Sequence, residues 1–163
     1  MKLEKELQGI RTVAIAGHIR PDGDSVGACI GLMHYIRDNF AQIETDVWLE
    51  QPDEKFAVLE GFEKIRRADG EEREYDLFLA LDCAVYDRLG GAKPYFDHAK
   101  KTIVIDHHVS NSGYAHINEI DGDASSTCEV LCRMMDPEKI SPKAAAALYT
   151  GIAHDTGVFQ YSA

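Results

Sequence analysis

Thr102-Ile103-Val104-Ile105-Asp106-His107-His108 decides the fold. The leading apolar, β-branched residues read as a buried strand. Side chains alternate along a strand, so a carboxylate and two imidazoles in succession cannot all face one side of it. They fit a place where the strand has ended and the backbone turns, offering several side chains to one point. Two other runs end the same way: Val13-Ala14-Ile15-Ala16-Gly17 leads into His18, and Leu77-Phe78-Leu79-Ala80-Leu81 leads into Asp82. In open α/β sheets ligands gather beyond the carboxyl ends of the strands. Three strands delivering metal-binding side chains there predict a site.

The segments between these runs read as helices. The strand at about 12–17 is followed by the loop His18-Ile19-Arg20-Pro21-Asp22-Gly23-Asp24-Ser25, and a helix begins near Ser25 with Val26, Ile30, Met33 and Ile36 at helical spacing. Thr45 to Leu49 reads as a second strand, 56–59 as a short helical piece, and Glu71-Glu72-Arg73-Glu74 as a solvated loop. Strands follow at about 75–81 and 101–105, separated by a Gly- and Pro-containing helical region. Ser126-x-x-Glu129 has the form of a capping box and starts a helix to about Met135, stopped by Asp136-Pro137. Ser141-Pro142 starts the last helix, with its tract Ala144–Ala147, and Gly151 to Gly157 closes it. Alternating strands and helices predict an α/β domain, a mainly parallel sheet with helices on both faces. Residues 159–163 read as the beginning of a strand or linker.

Composition bounds the function. A chain of 163 residues fits one domain, with 45% hydrophobic and 28% charged residues as in ordinary globular proteins. The net charge of −11 argues against a long nucleic-acid track built from Lys and Arg, and is compatible with an acidic cluster offset by bound cations. Cysteines 29, 83, 128 and 132 include no Cys-x-x-Cys pair, so free thiols in a reducing cytoplasm are expected, and Cys128 and Cys132 read as packing residues. The charged amino-terminal segment Met1–Leu7 reads as a short helix, without the apolar stretch of a signal peptide or membrane span. A cytoplasmic protein is the expectation.

The chemistry falls in four clusters. In the first, a proline-stiffened turn brings His18, Asp22 and Asp24 together, and Ser25 opens a helix whose N-terminus can receive a phosphate oxygen. The others are Asp82, Asp106-His107-His108, and Asp155 before Thr156-Gly157. Singly, each has a plain alternative: a loop, a helix cap, adjacent surface histidines, a turn residue. Jointly, His18, Asp22, Asp24, Asp82, His107 and Asp155 supply four carboxylates and two imidazoles. That mixture suits a pair of octahedral divalent ions, and it favours manganese over a thiolate zinc site. Two such ions roughly 4 Å apart can polarise a phosphoryl group, activate water and steady the leaving oxygen. Phosphoester hydrolysis is the predicted reaction class.

From about Val13 to Ser162 the chain resembles the DHH family of phosphoesterases. The motifs that carry the likeness are His18-x-x-Pro-Asp-Gly-Asp24, Leu81-Asp82, Asp106-His107-His108 and Gly151-Ile-Ala-His-Asp155-Thr-Gly, supported by Ser125-Ser126-Thr127 with Glu129. The resemblance implies one ion (Mn²⁺, with Mg²⁺ or Co²⁺ as alternatives) on His18, Asp22 and Asp82. It implies a second on Asp24, Asp82, His107 and Asp155, with Asp82 as the bridge. Asp106 would orient the neighbouring imidazole, and His108 would face the substrate phosphate, stabilising charge or donating a proton. Arg20 and Asn111 would touch phosphate. The Pro-Asp-Gly-Asp and Asp-Thr-Gly-x-Phe forms resemble the cytosolic branch that acts as oligoribonuclease and 3′-phosphoadenosine 5′-phosphate phosphatase. Cyclic- and linear-dinucleotide phosphodiesterases, pyrophosphatases and exopolyphosphatases stand as alternatives, as does a nucleotide-binding module without catalysis. The resemblance also implies a second, C-terminal nucleotide-gripping domain with a Gly-rich loop, which residues 1–163 do not contain. The partners expected are short RNA or a nucleotide, no membrane, and room for a homodimer.

Overall fold

The computed structural model describes residues 1–160. Its elements run α1 (Leu3–Glu6), β1 (Thr12–Ala16), α2 (Gly23–Asn39), β2 (Glu44–Trp48), β3 (Ile65–Arg66), β4 (Leu77–Leu81), α3 (Lys93–His98), β5 (Lys101–Asp106), β6 (Ile117–Ile120), α4 (Thr127–Met134) and α5 (Pro142–Asp155). Short 3₁₀ turns fill 54–58, 62–64, 86–92 and 137–139. The strands form one six-stranded sheet in the order β3-β2-β1-β4-β5-β6, and every pairing is parallel. The order reverses between β1 and β4, where Val13 lies opposite Leu77 and Ala16 opposite Ala80. A doubly wound sheet opens a crevice at that reversal, beyond the carboxyl ends of its strands.

The alternation of side chains sorts the core into two layers. Val13, Ile15, Leu77, Leu79, Ile103 and Ile105 face a layer shared with α2, α4 and α5. Ala14, Ala16, Phe78, Ala80 and Val104 face an aromatic layer with Trp48, Tyr75, Tyr95 and Phe96. Because both faces are covered, the central strands are apolar at successive positions rather than at every second one.

α2 is buried along most of its length because α5 lies across its outer side. A Cβ at Gly27 would sit 2.5 Å from the carbonyl oxygen of Ala147, so only glycine admits this approach. The caps follow the sequence: Asp22 accepts from Ser25 N–H to open α2, Ser126 accepts from Glu129 N–H to open α4, and Ser141 accepts from Ala144 N–H to open α5. The carboxylate of Glu129 reaches back to the N–H and hydroxyl of Ser125, one residue before the cap.

Three differences from the sequence reading stand out. β6, Ile-Asn-Glu-Ile, was not expected; it is short, half-polar and joins the sheet only through its register with β5, Ile103 opposite Ile117. β3 has two residues and no pattern to read. The 75–81 strand begins at Leu77, because Asp76 spends its carboxylate on the N–H groups of Arg11 and Thr12. Residues 156–160 form turns, and the expectation for 161–163 lies outside the described residues. Among the described residues no helix is long and apolar enough to cross a membrane.

Candidate metal centre

β1, β4 and β5 end side by side, and each hands over its ligating residues at the reversal point. His18 follows β1 and is buried. Its Nδ1 lies 2.6 Å from the carbonyl oxygen of Ile19. A carbonyl only accepts, so Nδ1 carries the proton and Nε2 is left facing Asp22 Oδ1 at 3.7 Å and Asp82 Oδ2 at 3.5 Å. Asp82, the first residue after β4, has φ +53°. Aspartate tolerates this left-handed conformation better than most residues, and such turns concentrate at functional sites. Its N–H still bonds Ile105 O at 3.1 Å, so the turn aims the carboxylate across the strand ends without leaving the sheet.

His107 follows β5. Its Nε2 meets Asp24 Oδ2 at 3.6 Å, Asp82 Oδ1 at 3.5 Å and Asp155 Oδ2 at 3.2 Å. Asp24 is fully buried in the first turn of α2, where it accepts from the N–H groups of Thr127 (2.8 Å) and Cys128 (3.0 Å) at the start of α4. Thr127 also donates its hydroxyl to Asp82 Oδ1 at 3.2 Å. Asp155 ends α5, and the approach at Gly151 keeps that helix close: a Cβ there would run into Cys128 Sγ and lie 3.1 Å from Asp24 Oδ1.

Three sets of donor atoms lie close enough to hold an ion: His18, Asp22 and Asp82; Asp24, His107 and Asp155; and Asp82, His107 and His108. An octahedral ion with bonds of about 2.1 Å separates neighbouring ligands by about 3.0 Å and opposite ones by about 4.2 Å. The nitrogen–oxygen distances of 3.2 to 3.7 Å fall inside that window. Oxygen donors joined by imidazole suit a divalent ion of the magnesium–manganese–cobalt range. The residues present therefore fit metal, and Asp82 offers one oxygen to each side.

The electrostatics agree. Burial works against a charged His18, but the carboxylates of Asp22 and Asp82 outweigh it and push its pKa up to about 10. Burial likewise opposes a charged His107, and Asp155 and Asp82 push it up to about 11. Burial would raise Asp82, yet the bonds from His107 and His18 hold it well below the ordinary carboxylate range. Asp24, buried beside Asp82 and Asp155, is driven well above that range. Without divalent ions, protons on the imidazoles balance the carboxylates.

The remaining sequence candidates land in different places. Asp106 is buried; its Oδ1 accepts from His108 Nδ1 at 2.7 Å and from His107 N–H at 2.9 Å. The imidazole it orients is thus that of His108, while His107 is tied to it through the backbone. Among the described residues His108 Nε2 has no partner, and the side chain is 37% exposed. Asn111 was expected at phosphate, but its amide N–H₂ donates to Asp106 Oδ2 (2.7 Å) and Cys83 O (3.3 Å), and its Oδ1 accepts from Gly113 N–H. It braces Asp106 from behind. The Ser25 hydroxyl is buried against Gly17 with no hydrogen-bond partner among the described residues, and its N–H is held by Asp22, so neither group is presented to solvent. Arg20 is exposed on the β1 loop at φ +54°, with no hydrogen bond or ion pair among the described residues. His154 is exposed and rests edge-on to Phe56. His34 is a buried packing histidine bonded to Glu60 O, and all four cysteines are free. Sequence reasoning missed the supporting role of Thr127 and Cys128. The capping box at Ser126 was the available signal, since it marks where N–H groups become free to bind a carboxylate.

A doubly wound parallel sheet with a shared-carboxylate His/Asp cluster at its reversal point defines the class. The chain belongs to the DHH family: the model for the DHH family, N-terminal domain, matches residues 12–152. It is 29% identical to the probable bifunctional oligoribonuclease and PAP phosphatase NrnA of Streptococcus mutans, over 97% of this chain and 50% of that one. It is 27% identical to the bifunctional oligoribonuclease and PAP phosphatase NrnA of Bacillus subtilis, over 92% of this chain and 48% of that one. Among solved structures it resembles an exopolyphosphatase-related protein from Bacteroides fragilis, with a TM-score of 0.85 and 27% identity, over 97% of this chain and 50% of that one. The chain spans about half the length of the curated relatives it matches.

Proposed function

We propose that this chain is the metal-binding domain of a two-metal phosphoesterase of the cytoplasm that hydrolyses short oligoribonucleotides and 3′-phosphoadenosine 5′-phosphate. The observation that carries the reading is the division of Asp82, Oδ2 toward His18 and Oδ1 toward His107. His18, Asp22 and Asp82 would hold one ion; Asp24, Asp82, His107 and Asp155 would hold the other, with Mn²⁺ as the preferred metal and Mg²⁺ or Co²⁺ as substitutes. When bound, the pair supplies Lewis acidity and a water activated for attack on phosphorus.

The protein's own groups do the rest. Ile19 O fixes the His18 tautomer, and the α4 N-terminus holds Asp24 in place before any ion arrives. His108, locked through Nδ1 by Asp106, presents Nε2 toward the side where a substrate phosphate would sit. Protonated, it donates a hydrogen bond to a phosphoryl oxygen and can pass its proton to the leaving oxygen. Arg20, on the exposed β1 loop, is a further phosphate contact in this scheme. A second domain, as the longer relatives have room for, would close over the cleft and grip the nucleotide.

The test is hydrolysis by the full-length protein, stripped of metal and resupplied with Mn²⁺, with pApA and 3′-phosphoadenosine 5′-phosphate as substrates. Metal-dependent release of AMP from both is the expected result. Cleavage of polyphosphate or pyrophosphate alone, the control prompted by the exopolyphosphatase-related neighbour, would overturn the substrate class. Metal uptake with no turnover of any of these would leave a binding module.

A further inference from the structure

Arg88 has no part in the cluster described so far, yet it lies against it. It sits in the 3₁₀ turn 86–92 that follows Asp82, and its carbonyl accepts from Ile19 N–H at 2.7 Å. Gly90 deepens this clamp: at φ +57°, with a would-be Cβ 2.5 Å from Ile19 Cγ2, it must be glycine for the turn to press on the β1 loop. The backbone of Arg88 is therefore fixed relative to His18.

Its guanidinium reaches the His18 edge but is hardly used there. Nη2 lies 3.2 Å from His18 Nδ1 and 3.5 Å from Ile19 O. The Nδ1 proton already belongs to Ile19 O at 2.6 Å, so the ring nitrogen has no lone pair for Arg88 to bond. The remaining bond, at 3.5 Å, is long for a hydrogen bond. A guanidinium carries five N–H donors, and among the described residues none of them meets a carboxylate. The other arginine with comparable burial, Arg73, is paired with Asp69 and Glu71. In a chain of net charge −11, this half-buried arginine lies against His18, whose other nitrogen faces Asp22 and Asp82, yet among the described residues it pairs with no carboxylate and keeps its donors for an anion.

We propose that Arg88 is a substrate-binding residue that takes a phosphate oxygen at the His18 edge of the centre, in the bidentate manner of guanidinium groups. The inference rests on the two-metal reading, and it names the group on the protein side that selects an anion over a neutral ligand.

The test uses the full-length protein loaded with Mn²⁺, with inorganic phosphate as the probe in calorimetric titration, so that it does not depend on turnover. Arg88→Ala is expected to weaken phosphate binding by about 10- to 100-fold, with manganese content unchanged. Arg88→Lys, which keeps the charge and guards against misfolding, is expected to recover part of the loss and to raise KM for pApA with a smaller change in kcat. Phosphate affinity within twofold of the parent in Arg88→Ala would overturn the proposal. Loss of manganese in step with phosphate, in both variants, would overturn it as well, because Arg88 would then merely prop His18. If phosphate binding depends on Arg88 while the parent protein cleaves no nucleotide, the anion site stands and the hydrolytic reading falls.

Discussion

The shared position of Asp82 makes a quantitative prediction. Replacing Asp82 by glycine removes both oxygens while keeping the left-handed turn at φ +53°, which glycine adopts without strain. Because Oδ2 serves the His18 side and Oδ1 the His107 side, the substitution should weaken two ions. Removing a group that only supports a ligand costs about 10- to 100-fold in metal affinity, so about 100-fold per ion is a fair floor for a direct ligand. At free Mn²⁺ about 100 times the dissociation constant, each ion adds about 2.7 kcal/mol to the folded state. Asp22→Ala and Asp155→Ala should each forfeit about one such increment, and Asp82→Gly about two. For a domain of this length, one increment is about 5 to 11 °C in metal-induced Tm shift. Melting each variant with and without Mn²⁺, beside elemental analysis of metal content, reads the result. Comparing shifts rather than absolute Tm removes the loss of the α2 cap in Asp22→Ala. Equal losses in Asp82→Gly and Asp22→Ala, or one ion retained at parental affinity in Asp82→Gly, would refute the bridge.

Four further outcomes follow from the same geometry. Metal uptake should release at least about one proton per ion between pH 7 and 9, because His18 and His107 are pushed up to about 10 and 11 in the metal-free protein; calorimetry in buffers of different ionisation enthalpy counts them. Since these folded-state values lie above the ordinary histidine value, the metal-free protein gains stability from them that is complete below about pH 6.5 and is lost as the pH rises through 10 to 11, which denaturant titrations along the pH scale would show. His108→Ala should keep its metal and lower kcat by about 10²- to 10⁴-fold, checked by elemental analysis beside steady-state kinetics. Gly151→Ala should destabilise by about 1–3 kcal/mol through overpacking against Cys128 and Asp24, and should weaken the ion at His107 more than the ion at His18, as competition with a metal indicator can resolve.

Much of this was legible because strand ends in a parallel sheet coincide with changes in residue chemistry. The runs before His18, Asp82 and Asp106 are apolar on both faces, so the first polar residue after each marks the rim. What sequence could not supply is who braces whom. Asp106, His107 and His108 are consecutive, and only the backbone turn decides that the carboxylate bonds the second imidazole rather than the first. Asn111 and Ser25 carry groups that suit phosphate, yet burial turns both inward. Arg88 lies in a stretch with no periodicity, and its nearness to His18 comes from the long-range clamp with Ile19. β6 escaped because its pattern is set by a neighbour rather than by its own residues.

The pairing of β1 with β4 has a consequence for how the chain is made. Val13 is aligned with Thr45 on one side and with Leu77 on the other, so during synthesis the first strand finds its near partner long before its far one. Until Leu77–Leu81 has left the ribosome, a largely apolar strand presents an open edge of unpaired N–H and C=O groups. Closing that edge requires a long intervening segment to be organised, which is slow. The stage before β4 is made is therefore one at which this domain is exposed to self-association, and an expression host short of chaperone capacity should lose it there.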